Sequence, residues 1–150
     1  MRISFDIDGL LVGPHFEAES TRWGFLRGSV ENLRFGTRDL FEALVGQGHE
    51  VCIYTTSFRP ALRIRWWLWV HGLRVGTVIN GARHASEATR WQHSHTPSKY
   101  PPAFDIQIHV DDSPGVLLEG QDHGFSVLVI EPGDGAWVQH VLDAVRTIKR

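Results

Sequence analysis

Arg2-Ile3-Ser4-Phe5-Asp6-Ile7-Asp8-Gly9-Leu10-Leu11 is an apolar run that opens almost at the N-terminus and carries two acids one residue apart. It reads as a buried strand that delivers carboxylates to the edge of a sheet. Alternation places Phe5 and Ile7 on one face and Ser4, Asp6 and Asp8 on the other, with Gly9 signalling that the chain leaves strand geometry near Asp8. Two carboxylates this close need a cation or basic side chains beside them if both are to stay ionised.

Four further stretches have the character of the first. Val51-Cys52-Ile53-Tyr54-Thr55-Thr56-Ser57 switches abruptly from apolar groups to hydroxyls, Val75 to Asn80 reads as a third strand, and Phe125 to Ile130 as a fifth. The fourth, Asp105-Ile106-Gln107-Ile108-His109-Val110-Asp111-Asp112-Ser113-Pro114, again ends in paired acids. Helical patterns separate them. One, capped by Ser29 or Thr37, carries Leu40, Phe41, Leu44 and Val45 and ends at Gly46 to Gly48. A second runs from Pro60 through His71 to Gly72, with Leu62, Trp66, Trp69 and Leu73 as its stripe and Trp67 and Val70 widening it. A third opens at Pro114 and stops at Gly124, and Ala136 to Ile148 closes the chain. Strands alternating with helices predict an α/β fold: a Rossmann-like three-layer α/β/α sandwich around a mostly parallel five-stranded sheet. Residues 10–28 or so, aromatic and punctuated by glycine, read as a hairpin-like flap. Residues 81–102, polar and rich in His, Arg and Pro, read as a long loop or loose helix near the site.

A chain of 150 residues fits one domain, 1–150, large enough to bury a real core. Its formal net charge of −2 gives no global positive field, which argues against nonspecific binding to nucleic acid or to an anionic membrane. No apolar run reaches the roughly 18 residues of a membrane span. The first strand begins at residue 2, so no signal peptide is expected and the cytoplasm is the expected compartment. The single cysteine, Cys52, lies in an apolar run and reads as a small packed hydrophobe. Trp66, Trp67 and Trp69 exceed what one sheet face needs, which makes that helix the candidate contact for a homodimer.

In open α/β sheets ligands sit beyond the carboxyl ends of the strands. Three strands here end in reactive groups: Asp6 and Asp8; Thr55, Thr56 and Ser57; Asp111 and Asp112. Lys99 lies between the last two in sequence. Acids that offer a few oxygens, to be completed by water and phosphate, suit Mg²⁺ better than a closed cage would. With the lysine and hydroxyl donors, such an ion would hold a phosphoryl group beside Asp6 acting as a carboxylate nucleophile. His93 and His95 have metal-ligand spacing without an evident third ligand and read as solvent-facing or substrate-facing.

The ordered set Asp6-x-Asp8-Gly9, Thr55, Lys99 and Asp111-Asp112 resembles the four motifs of haloacid dehalogenase-like hydrolases. It spans positions 6 to 112, and Phe5, Gly9-Leu10 and Ser113-Pro114 agree with the same pattern. The resemblance implies Asp6 as nucleophile through an aspartyl-phosphate, and Asp8 as general acid to the leaving oxygen and then base for water. It implies Thr55, with Thr56 as the competing choice, donating to a phosphoryl oxygen, and Lys99 balancing the carboxylates. It further implies Mg²⁺ held by Asp6, the Asp8 carbonyl and Asp112, with Asp111 binding directly or through water. Neither residues 9–50 nor residues 57–98 leave room for the full cap domain such hydrolases usually carry. The expected function is thus a Mg²⁺-dependent phosphatase acting on a small or macromolecular phosphoester. The competing reading is a non-catalytic binding or protein-interaction module on the same scaffold.

Overall fold

All five apolar runs become strands, and every pairing between them is parallel. They are β1 (Arg2–Phe5), β2 (Glu50–Tyr54), β3 (Val78–Ile79), β4 (Ile108–Asp111) and β5 (Val127–Val129), in the spatial order β3-β2-β1-β4-β5. The computed structural model describes residues 1–19 and 31–148. Connecting the strands are α1 (Thr37–Gly46), α2 (Ala61–Val70), α3 (Gly81–Ala88), α4 (Pro114–His123) and α5 (Trp137–Ile148). β1 is central, with β2 on one side and β4 on the other, which is why Ile3, Ser4 and Phe5 are all fully buried, whichever face they point to. The chain grows outward from β1 to β3 and then crosses back to β4. That reversal sets the topological switch point between β1 and β4, where ligands bind in such sheets.

The two faces of the sheet are covered unequally. Ile3, Phe5, Val51, Ile53, Ile108 and Val110 point to one face and join α1, α2 and α5 in a single large core through Leu40, Leu44, Ile64, Leu68, Val141 and Val145. On the other face a smaller cluster gathers Tyr54, Ile79, Phe104 and Ile106, with Trp91 packed against it. Ser4, Cys52 and His109 lie in register across the middle of the sheet and are fully buried. Helices on both sides give the three layers expected of this fold class.

Several local expectations give way to the packing. Gly36, with φ 87°, is the N-cap of α1; Thr37 is its first residue and donates its hydroxyl to the Arg34 carbonyl at 2.7 Å. A left-handed entry favours glycine, and a Cβ there would also meet Val138 Cγ2 at 2.7 Å. Ser29, the other expected cap, lies outside the described residues. In α1 Val45 faces out, 55% exposed. In α2 the expected stripe holds only in part: Trp67, Val70 and, past the helix end, Leu73 are buried, as are Ile64 and Leu68, whereas Leu62 is 80% exposed and Trp66 and Trp69 about half so. The helix is apolar all round, so periodicity could not say which face the sheet would take. Residues 81–102 hold more structure than a loop. The Asn80 side chain accepts from the Arg83 amide at 3.0 Å and caps α3, and Pro101–Phe104 form a 3₁₀ helix.

Part of the expected flap, residues 20–28, lies outside the described residues. Its base is a short antiparallel pairing in which the Glu19 amide donates to the Leu33 carbonyl and the Phe35 amide to the Glu17 carbonyl. Arg34 fastens this strap to the far end of the chain. Only 2% exposed, its guanidinium lies 4.7 Å from the Phe16 ring and 4.8 Å from the Trp137 ring. It donates to the carbonyls of Leu10, Glu131, Pro132 and Asp134.

Candidate active site

At the carboxyl ends of β1 and β4 three acids converge. Asp6, Asp111 and Asp112 each offer a carboxylate oxygen, and these lie within 4.8 Å of one another. Asp6 extends the β1 ladder by one residue, its amide donating to the Val110 carbonyl at 3.0 Å, so its side chain is aimed by the sheet itself. Asp111 is the last residue of β4, and Asp112 follows it into the turn before α4.

The counter-charge that the first strand calls for is Lys99. It is 3% exposed and places Nζ 2.9 Å from Asp6 Oδ1 and 2.5 Å from Asp111 Oδ2. Neighbouring contacts hold its backbone. Ser98 gives its amide and hydroxyl to the two oxygens of Glu119 on α4, at 3.0 and 2.7 Å, and the Tyr100 amide donates to the Tyr54 hydroxyl at 2.9 Å. The Tyr100 ring also packs among Trp91, His93 and Phe125. His93 is therefore engaged in an aromatic cluster, and among the described residues neither it nor His95 belongs to a metal-binding group.

The three acids differ sharply in environment. Burial pushes the Asp6 carboxyl up to about 6, and the Asp111 charge adds to this while Lys99 opposes it. At Asp111 burial works in the same direction, but the hydrogen bond from His109 and the Lys99 charge outweigh it and hold this carboxyl well below the ordinary range. Burial and the neighbouring Asp111 raise Asp112. Asp111 has both oxygens engaged by protein donors: Lys99 and His109 Nε2 on Oδ2, the Ser113 amide on Oδ1 at 2.9 Å. Asp112 packs instead against Gly9, whose φ of 89° few other residues adopt and where a Cβ would lie 2.2 Å from Asp112 Oδ2.

The remaining candidates divide. Thr55 is buried at the end of β2, its amide bonded to the Ile79 carbonyl; its Oγ1 accepts from the Ser57 amide at 3.1 Å, which leaves the hydroxyl proton to be donated elsewhere. Thr56, by contrast, is exposed. The Asp8 carboxylate lies outside the acid group, 55% exposed, and meets Arg59 Nη2 at 3.3 Å. Arg59 also pairs with Glu31 at 3.2 Å, while its backbone is tied to the Ser57 hydroxyl and the Asn80 side chain. Motif reading overlooks Arg59, because nothing in the order of residues links it to Asp8.

It also overlooks Ser4 and His109, although here a signal exists. Ser4-x-Asp6 and His109-x-Asp111 repeat one polar pattern with the period of a strand, so each pair shares a face. Ser4 Oγ and His109 Nδ1 are 2.7 Å apart, and His109 Nε2 is 2.9 Å from Asp111 Oδ2. Burial pushes the His109 imidazole down to about 4, so it is neutral near pH 7. No protein-family model matches the chain, and no curated protein matches it.

Proposed function

We propose that this chain is a Mg²⁺-dependent phosphohydrolase, akin to the haloacid dehalogenase-like hydrolases that its motifs resemble. The observation that carries the reading is Lys99, buried at the β1/β4 switch point and bridging Asp6 and Asp111 while a third acid, Asp112, stands beside them. A buried lysine bonded to two acids beside a third is an arrangement for charge that changes during a reaction.

The donor set fits a hard cation. Asp6 spends Oδ1 on Lys99, and Asp112 is bound to no basic side chain among the described residues; these two, with the Asp8 carbonyl, would hold the ion, and Asp111 stands back because protein donors occupy it. When bound, Mg²⁺ would offset the repulsion between a carboxylate and an incoming phosphoryl oxygen. The protein's own steps follow. A carboxylate oxygen of Asp6 attacks phosphorus, the bond to the leaving oxygen breaks, and Asp8 gives that oxygen a proton. Asp8 then takes a proton from water, which attacks the aspartyl-phosphate and releases inorganic phosphate with Asp6 restored. Thr55 supplies a hydroxyl to a phosphoryl oxygen, and Lys99 keeps Asp6 ionised against its burial.

Purified protein should hydrolyse an aryl phosphate only when Mg²⁺ is present. Asp6→Asn should bring turnover to background, and Asp8→Asn should slow it with Mg²⁺ binding retained. Equal turnover by the Asp6 variant would overturn the mechanism.

A further inference from the structure

His109 lies in the middle of β4, fully buried, and takes no part in the chemistry above. Its cross-strand neighbour in register is Ser4, equally buried. Two apolar side chains would fill this space without desolvating an imidazole and a hydroxyl, so the pair needs a reason beyond packing. Its bonding has a definite direction. Nε2 faces an ionised carboxylate oxygen, which can only accept, so the single proton of the neutral ring sits there. Nδ1 is then an acceptor, and the Ser4 hydroxyl donates to it. The result is one uninterrupted run of hydrogen bonds and ion pairs, Ser4 to His109 to Asp111 to Lys99 to Asp6.

We propose that His109, oriented by Ser4, is a positioning residue that clamps the Asp111 carboxylate so that it holds the Lys99 ammonium against Asp6. The proposal rests on the reading of Asp6 as the nucleophile. Asp111 can turn about its terminal torsion unless both oxygens are engaged. The Ser113 amide fixes Oδ1, while Lys99 and His109 both meet Oδ2. Lys99 alone cannot supply that constraint, because it is also drawn toward Asp6. With His109 in place, the lysine is the only member of the run left to respond when the charge on Asp6 changes.

Three variants test the clamp. His109→Gln keeps an N–H donor near the Nε2 position, His109→Leu fills the space without one, and Ser4→Ala removes the partner that orients the ring. Nitrogen-15 spectra of the imidazole should show the Nε2–H tautomer in the wild type and a mixture in Ser4→Ala. With an aryl phosphate and Mg²⁺, His109→Leu should lose about 10- to 100-fold in kcat at unchanged KM, the scale typical of outer partners that orient the groups of a metal site. Its melting temperature should fall by several degrees, because the buried Ser4 hydroxyl loses its acceptor, so kcat is read on the folded fraction, and His109→Gln should recover most of the rate. An Nδ1–H tautomer in the wild type, full kcat in His109→Leu, or equal losses in the Leu and Gln variants would each overturn the clamp. A wild type inactive on every phosphoester would instead defeat the phosphohydrolase reading, and the tautomer would still decide the bonding.

Discussion

The two faces of the sheet are built from the same strands and serve different ends. One buries Ile3, Phe5, Val51, Ile53, Ile108 and Val110 beneath three helices; the other buries Ser4, Cys52, Tyr54 and His109 and leads to Asp6, Asp111 and Lys99. Apolar burial is favourable wherever it occurs, whereas each polar group on the opposite face must be matched by a specific partner. One face supplies stability in bulk, and the other spends part of it on orientation.

Substitution on the apolar face should break that division most visibly. Ile53→Ala, at a fully buried position, should destabilise the protein by about 2–5 kcal/mol while leaving kcat of the folded fraction within a few-fold, as read by urea denaturation and phosphatase assay. A comparable loss of kcat would show that the faces are not separable.

A smaller effect is expected from pH in the metal-free protein. Burial pushes the Asp6 carboxyl up to about 6, above its value of about 4 in an unfolded chain. The folded state therefore binds this proton more tightly; the stability it confers is complete below pH ~4 and is lost as pH rises through ~6, on the order of 3 kcal/mol in all. His109 runs the opposite way over much of this window, since its folded value of about 4 lies below the usual one and the unfolded chain takes up the proton first. Asp111, held low, loses its contribution only as pH falls below about 4. Because those groups remain in Asp6→Asn, the stability of wild type minus variant, measured in EDTA, should fall between pH 4 and 6. A flat difference would mean that Asp6 is not held in a low-dielectric site.

The smallest expected effect lies where the faces meet. Gly9→Ala forces a left-handed backbone on a residue with a Cβ and crowds Asp112, so a loss of about 1–2 kcal/mol is expected. Mg²⁺ affinity should fall about ten-fold, as for other disturbances beside a metal ligand. Calorimetric titration checks this, and unaltered affinity would remove Asp112 from the ion's ligands.

Strand positions, their parallel pairing and the meeting of Asp6, Asp111 and Asp112 were legible in the sequence, because each follows from apolar runs that end in polar groups; Lys99 was legible only through its place in the order of motifs, and the spatial order of the strands was not. What escaped were features decided by neighbours distant in the chain. α2 presents apolar residues on every side, so only packing could choose Ile64, Trp67 and Leu68 over Leu62, Trp66 and Trp69. The entry to α1 was assigned to Ser29 or Thr37 by their hydroxyls, yet the turn needed a left-handed residue, which Gly36 supplies. Asn80 read as the end of a strand and proved to be the start of a helix, a double role common where a βα connection is short. Arg59 found Asp8 across 51 positions, a distance no local pattern spans.

Arg34 carries a consequence for how the molecule opens. It stands on the strap, and its guanidinium is bonded to the Leu10 carbonyl after β1 and to three carbonyls in the turn that follows β5, so neither strap nor turn can lift away without stranding a buried cation. Residues 33–37 and 131–134, nearly a hundred positions apart, should therefore exchange their amide protons as a single cooperative unit, with one shared opening free energy.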